Sequence, residues 1–96
     1  MQDEIKYYEI HTLTGLSFKF KLDENPITGE FEPHIWHRHQ INPEEVILAY
    51  FNKTQNEWNV AYQRYECYFE DEDIHIYYMY LSEDKKKIMI ITAFKT

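Results

Sequence analysis

Two apolar segments near the C-terminus constrain the fold more than any other part of the chain. Residues 74–81 and 88–94 carry apolar side chains at both odd and even positions, a pattern that favours central strands covered on both faces. The segment SEDKKK between them is polar and predicts a tight turn with its three lysines at one end of a hairpin. We therefore predict that this C-terminal hairpin forms the centre of a β-sheet.

The N-terminal part of the chain predicts a second hairpin. Residues 5–13 are typical of one strand, and over residues 16–22 apolar side chains alternate with serine and lysine. Such a period of two indicates a strand with one buried and one solvated face. Thr14 and Gly15 would form the turn between the two strands. The next segment, residues 23–30, contains Asn-Pro and a glycine and predicts a loop.

The middle of the chain predicts two helices. Pro33 suits the first position of a short helix that runs to His39, and Asn42 followed by Pro43 suits the N-cap and first residue of a second helix. Glu45 stands three residues after Asn42, which is the spacing of a capping box. The second helix has one apolar stripe that must dock on a sheet, made of Val46, Ile47, Tyr50 and Phe51.

These segments together predict the element order β-β-α-α-β-β-β. The third strand of that order is the tyrosine-rich segment VAYQRYECYFE, residues 60–70. We predict an α+β fold, with a mainly antiparallel five-stranded sheet and two short helices on one face. The chain has 96 residues, enough for a single domain over residues 1–96 with one modest core.

Composition limits the classes of function. The net charge of −7 argues against general affinity for nucleic acid, because such binding neutralises phosphates with lysine and arginine; RNA could bind only through a local patch. A lone cysteine, Cys67, and a start without a basic-then-apolar leader predict a reducing cytoplasm. No apolar run approaches the roughly 18 to 20 residues that span a bilayer, so we expect no membrane partner. No pattern calls for a cofactor.

The first predicted helix, HIWHRH, is the chemically richest segment of the chain. Cleavage of RNA through its 2′-hydroxyl needs a base, an acid and a cation that stabilises the phosphate, and histidine and arginine suit these roles. His34 and Arg38 are four residues apart and share one face of a helix. Arg64, the only other arginine, could join them if its strand faces the same helical corner.

Two other interpretations of these histidines stay open. They could be partly buried polar residues at a helix end, hydrogen-bonded to the backbone or to carboxylates. They could also bind a metal, but His39 lies about 200° around a helix from His37, so His34, His37 and His39 could share one ion only if the helix ended between them. We predict no metal site.

From Pro33 onward, the order of HIWHRH, a bend, a helix opening with PEEV and strands ending in IITAFK resembles the small ribonuclease toxins of the RelE and BrnT type. It is equally similar to phage-borne relatives in the barnase, EndoU, colicin and RelE assemblage. The resemblance implies metal-independent RNA cleavage by a histidine of the helical segment together with basic, hydroxyl or aromatic residues of the sheet. The matching residues are His34, Arg38, His39 and Thr92. The resemblance also implies an antitoxin as protein partner.

The acidity of the chain supports a function of another class. Small acidic proteins can be inhibitors, immunity proteins or antitoxins, whose carboxylates pair with a basic partner protein. A catalytically inactive relative of the toxins would act in the same way. The candidate surface consists of Glu66 and the acidic run formed by Glu70, Asp71, Glu72 and Asp73. The same run could simply be a solvated hairpin tip.

Overall fold

The computed structural model of the protein describes residues 5–96. The strands are β1 (Lys6–His11), β2 (Ser17–Glu24), β3 (Phe31–Pro33), β4 (Gln55–Asn59), β5 (Arg64–Phe69), β6 (Ile74–Tyr80) and β7 (Lys87–Lys95). The helices are α1 (His34–His39) and α2 (Pro43–Phe51), and a 3-10 turn spans Glu70–Glu72. Within the described residues, neither helix is long and apolar enough to cross a membrane.

The strands form one sheet in the order β1-β2-β7-β6-β5-β4, with β3 paired to the end of β2. Neighbouring strands are antiparallel except β2 and β7, which run parallel. A parallel pair needs a crossover connection, and here the crossover contains both helices and strands β3 to β6. The predicted α+β class is confirmed, and β7 is central as predicted. The sheet has seven strands, however, where we predicted five, and it is mixed.

Apolar periodicity does not reveal the two additional strands. Strand β3 has three residues and depends on pairing with β2, where Pro33 lies opposite Leu22. Strand β4, with the sequence QNEWN, lies in a polar segment that predicts no strand. Backbone hydrogen bonds to β5 hold it in the sheet, and these are independent of side-chain polarity. The sheet therefore extends beyond the apolar segments of the sequence.

A single core lies between the helices and one face of the sheet. The fully buried side chains of the strands are Phe18, Phe20, Ile74, Ile76, Tyr78, Ile88, Ile90 and Ala93. The helices and the bend between them contribute Ile35, Ile41, Val46, Ala49 and Tyr50 to the same cluster. Since α1 and α2 share one core with β2, β6 and β7, the sheet and both helices form one packed unit.

The C-terminal hairpin is central, but the helices cover only one of its faces. A β-bulge at Ile91 lets Tyr77 pair with Thr92 while Tyr78 pairs with Ile90. The bulge shifts the alternation, so both Ile90 and Ala93 face the core. Apolar side chains at odd and even positions therefore reflect a bulge and a partly exposed second face, on which Ile91 is 37% exposed. The prediction that both faces of this hairpin are covered is therefore wrong.

Helix α2 begins as predicted. Asn42 is its N-cap and accepts a hydrogen bond at Oδ1 from the backbone amide of Glu45 at 2.9 Å, and Pro43 is its first residue. The Glu45 carboxylate pairs with Lys95 at 3.4 Å. The buried stripe consists of Val46, Ala49 and Tyr50, whereas Phe51 of the predicted stripe is 47% exposed. The helix is thus rotated slightly from the predicted orientation, with alanine against the sheet.

Candidate functional site

We call the uncovered side of the sheet the open face; it consists of the strand residues that alternate with the core residues. Strands β2 and β7 pair only from Ser17 to Phe20, opposite Lys87 to Ile90. Beyond that pairing the strands diverge, and helix α1 packs against both of them and against β3. The short histidine-rich helix therefore lies beside the open face.

His34 and Asp23 form a hydrogen-bonded pair at this position. Their Nδ1 and Oδ2 atoms are 2.7 Å apart, and the two side chains are 24% and 21% exposed. The pairing of Leu22 with Pro33 sets this geometry, because Asp23 follows the first of these residues and His34 follows the second. A carboxylate on Nδ1 orients the imidazole and places its proton on that nitrogen, which leaves Nε2 for a substrate.

His39 completes the histidine pair. Its ring centroid lies 6.2 Å from that of His34, in an edge-to-face arrangement, and 6.2 Å from that of Phe94 on β7. Helix α1 ends at His39, because Gln40 has the left-handed conformation with φ of 58°. The structure thus brings together His34 and His39, two of the catalytic residues predicted from the sequence.

A cavity of about 280 Å³ opens beside His34. Tyr7 of β1, Lys21 of β2 and Met89 and Ile91 of β7 line it together with the imidazole. Lys21 supplies a cation, and the other side chains supply an apolar wall of the kind that binds small organic groups. Asp23, Lys21 and Tyr7 were missed in the sequence analysis. The alternation over residues 16–22 was an available signal for Lys21. Asp23 fell in the predicted loop over residues 23–30, whereas β2 continues to Glu24.

Arg38 and Thr92, two further predicted site residues, do not form part of the histidine pair. Arg38 is exposed at the end of α1, and no salt bridge joins it to another side chain of residues 5–96. Thr92 is partly buried on β7, opposite Tyr77 and two residues before Phe94. Arg38 is therefore available to a ligand, while Thr92 lies in the sheet surface.

Arg64 lies on another part of the open face. Its Nε is 2.9 Å from a carboxylate oxygen of Glu66, and its guanidinium carbon is 3.9 Å from the ring centroid of Tyr77 and 4.5 Å from that of Tyr62. Strand β6 separates its strand, β5, from β7, which places Arg64 on the order of 10 Å or more from the helix side of β7. The structure does not bring Arg64 to the histidine pair.

The histidines of α1 face separate carboxylates. His37 pairs with Glu32 at 3.5 Å, while His34 pairs with Asp23. Among residues 5–96, no three histidine, cysteine or acidic side chains come together as a metal site. The imidazole of His34 is hydrogen-bonded to Asp23, and that of His37 lies beside the Glu32 carboxylate.

The acidic run forms the turn between β5 and β6. Glu70, Asp71 and Glu72 form the 3-10 turn, and Asp73 after it has the left-handed conformation. All four residues are exposed. The Tyr68 hydroxyl donates a hydrogen bond to Asp73. That bond, together with weaker effects of burial and of the Asp73 and Glu70 charges, raises the pKa of Tyr68.

Cys67 is not a nucleophile in this fold. The side chain is 3% exposed in the core, and burial raises the pKa of its thiol to about 11, although the Lys53 charge opposes the shift. A thiol with such a pKa carries almost no thiolate at neutral pH.

No family model, curated protein or solved structure matches the chain.

Proposed function

We propose that the protein is a metal-independent endoribonuclease of the small-toxin type, related to the RelE and BrnT toxins or to their phage-borne relatives. The observation that carries the proposal is the hydrogen bond of 2.7 Å between Asp23 and His34 beside a second imidazole, His39, at 6.2 Å. Two imidazoles at this separation can each form a hydrogen bond of about 3 Å with the oxygens of one phosphate. An oriented base and a neighbouring acid are what 2′-hydroxyl chemistry requires.

The roles follow from the hydrogen bonds. Because Asp23 accepts the Nδ1 proton of His34, the Nε2 atom of His34 takes the proton of the 2′-hydroxyl. The 2′-oxygen then bonds to phosphorus, and the bond from phosphorus to the 5′-oxygen breaks. His39 gives its proton to the leaving 5′-oxygen. The products are a 2′,3′-cyclic phosphate and a 5′-hydroxyl, and no metal takes part.

The cationic groups near the pair supply the local patch that an acidic chain needs in order to bind RNA. Lys21 lines the cavity beside His34, and Arg38 is exposed four residues further along α1. Lys19 lies on the same polar side of β2 as Lys21, with its ammonium 4.6 Å from the ring centroid of Tyr7. These cations attract the phosphate and stabilise its charge in the transition state.

The test is an RNA cleavage assay in the presence of chelator. The wild type should cleave, and its rate should rise and fall around neutral pH, since one imidazole must be neutral and the other protonated. His34→Ala and His39→Ala should each remove one limb of that profile. Arg38→Ala should slow cleavage by about 10²-fold or more through the loss of a phosphate ligand.

The matched control is His37→Ala. It removes an imidazole from the same helix, but one that pairs with Glu32 instead of Asp23. We expect it to cleave at close to the wild-type rate. If the wild type cleaves no RNA, or if His37→Ala loses as much rate as His34→Ala, the ribonuclease proposal is wrong.

A second candidate function is binding of a basic partner protein, as an inhibitor, immunity protein or antitoxin does. The observation that favours it is the exposed acidic turn, in which no lysine, arginine or histidine of residues 5–96 pairs with Glu70, Asp71 or Glu72. Unpaired carboxylates on a turn present a concentrated charge to a basic surface.

This candidate is tested by neutralising the turn. Changing Glu70, Asp71 and Glu72 to their amides should weaken capture of a basic target protein and make the remaining binding less sensitive to salt. Asp73 is kept, because Tyr68 donates to it. His34→Ala should leave this binding unchanged. Equal capture by wild type and the neutralised protein would contradict the candidate.

A further inference from the structure

A second cavity lies on the other part of the open face, across β4, β5 and β6. Its volume is about 260 Å³. The side chains that line it and carry the argument are Gln55, Glu57, Glu66, Tyr68, His75 and Tyr77. None of them belongs to the histidine pair or to the acidic turn. The cavity combines carboxylates with aromatic rings.

The two carboxylates face each other across neighbouring strands. Glu57 of β4 lies opposite Glu66 of β5 in the pairing of these strands, and like charges in such positions destabilise a sheet. Burial alone would raise the pKa of Glu66, but hydrogen bonds from Asn59 and Arg64 and the charges of Arg64 and His75 outweigh it and lower the pKa. Glu66 is therefore anionic at neutral pH.

The two carboxylates of this cavity are not equally paired. Arg64 pairs with Glu66 at 2.9 Å, whereas no lysine, arginine or histidine within residues 5–96 forms a salt bridge with Glu57. The Glu57 carboxylate is therefore left without a salt-bridge partner among these residues. A cation that entered the cavity would find Glu57 available for pairing.

The aromatic walls indicate what kind of cation fits. The guanidinium of Arg64 already lies 3.9 Å from the ring centroid of Tyr77 while pairing with Glu66, so the site holds one organic cation between a ring and a carboxylate. Tyr68 and His75 stack with centroids 4.5 Å apart and form a second wall. Aromatic rings beside a carboxylate recognise guanidinium and alkylammonium groups.

We propose that this cavity binds one organic cation, a guanidinium or an alkylammonium group, which pairs with Glu57 and packs against Tyr68 and Tyr77. A metal ion would find too few ligands in this cavity, since residues 5–96 contain no cluster of three metal-binding side chains. The site is independent of RNA cleavage, because its residues are separate from the Asp23–His34 pair. Its ligand is either a free small molecule or the side chain of a basic protein.

The test is a titration of the full chain with arginine amide, followed by NMR chemical shifts of residues in β4 to β6. We expect saturable binding, and Glu57→Gln should weaken it about tenfold or more through the loss of the charge pair. The matched control is Glu83→Gln, which removes the same charge from the exposed turn between β6 and β7 and should leave the affinity close to that of wild type. Tyr77→Leu keeps an apolar side chain and should also weaken binding.

A second arm separates the two sources of the cation. A short neutral peptide with one arginine is titrated in parallel. Tighter binding of the peptide than of arginine amide indicates a partner segment, and equal binding indicates a small molecule. The proposal is overturned if wild type shows no saturation by about 10 mM ligand, or if Glu57→Gln and Glu83→Gln weaken binding equally.

Glu57→Gln also offers a measurement in the absence of ligand. Because it removes one of two facing like charges, the variant should unfold at a temperature no lower than wild type. Loss of binding in a variant that is as stable as wild type therefore reports the site. A lower unfolding temperature would show that the Glu57 charge stabilises the fold, which contradicts the unpaired Glu57 carboxylate on which the proposal rests.

Discussion

The open face has one half beside helix α1 and another formed by β4 to β6, and both arise from the same alternation of strand residues. Within residues 5–96, however, the two halves leave groups of opposite charge without a salt bridge. Beside α1, the carboxylate of Asp23 forms a hydrogen bond with His34, and Lys21 lines the cavity without a carboxylate partner among residues 5–96. Across β4 to β6, the guanidinium of Arg64 contacts Glu66 and Tyr77, and the carboxylate of Glu57 has no cationic partner among residues 5–96. The sign of the unpaired group predicts the ligand: a phosphate on one half and an organic cation on the other.

A row of rings joins the two halves. Phe94 lies 6.2 Å from His39 and 4.9 Å from His75, and His75 lies 4.5 Å from Tyr68, all as distances between ring centroids. These rings pack across β5, β6 and β7, between the residues that line the two cavities. Packed aromatic side chains therefore lie between the charged groups of the two halves, so each half can be tested separately.

The largest effect should come from His34→Ala. Loss of a general base reduces a rate by roughly 10² to 10⁴, and we expect about 10³ here because Asp23 orients the imidazole. The same variant should bind arginine amide as tightly as wild type, since the proposed cation site lies on the other half of the open face. Cleavage rates and NMR titrations of one preparation check both statements. A parallel loss in both assays would show that the halves are not independent.

The next effect concerns the core that both halves share. Ile76→Ala and Ile90→Ala should each destabilise the fold by about 2 to 5 kcal/mol, because both side chains are at most 2% exposed. Urea unfolding of each variant measures the loss. Ile76 lies on β6 and Ile90 on β7, so both activities should decline together as the protein unfolds. A loss below about 1 kcal/mol would contradict the central position of the C-terminal hairpin.

A smaller effect should follow from Asn42→Ala. This change removes the side-chain acceptor of the Glu45 amide, and such a loss costs about 1 kcal/mol. Helix α2 packs against β5 and β6, so hydrogen exchange should increase more in those strands than in β1. A uniform increase across the sheet would show that α2 supports both halves equally.

The smallest effect is the pH dependence of Glu66. Its pKa is lowered in the folded state from the ordinary value of 4.5, and the hydrogen bonds and charge that lower it oppose the effect of burial. The ionised form therefore stabilises the fold above that ordinary value, and the stabilisation is lost as pH falls through the lowered pKa. Glu66→Gln should be less stable than wild type at neutral pH and similar to it in acid. Urea unfolding over a pH series measures the difference, and a constant difference at all pH values would contradict it.

Local features of this protein were predictable from short stretches of sequence. Asn42 and Pro43 start a helix through their own chemistry, and the alternation over residues 16–22 gives a strand with Phe18 and Phe20 on the buried side. His34 and His39 could be proposed as partners because they lie on one short helix. The bulge at Ile91 was not predictable, because an apolar run with a bulge has the same pattern as one buried on both faces.

The sequence by itself determined the α+β class, the central C-terminal hairpin and the histidine segment, since each depends on periodicity or on capping within a few residues. Only the tertiary structure decided that Asp23 would hold His34, eleven positions further along the chain, that β2 would lie parallel to β7, and that Arg64 would pair with Glu66 away from the histidines. The physical reason is that strand pairing uses backbone hydrogen bonds, which every residue type offers equally. The choice of partner strand, and with it the neighbours of each charged side chain, follows from how the whole chain buries its core.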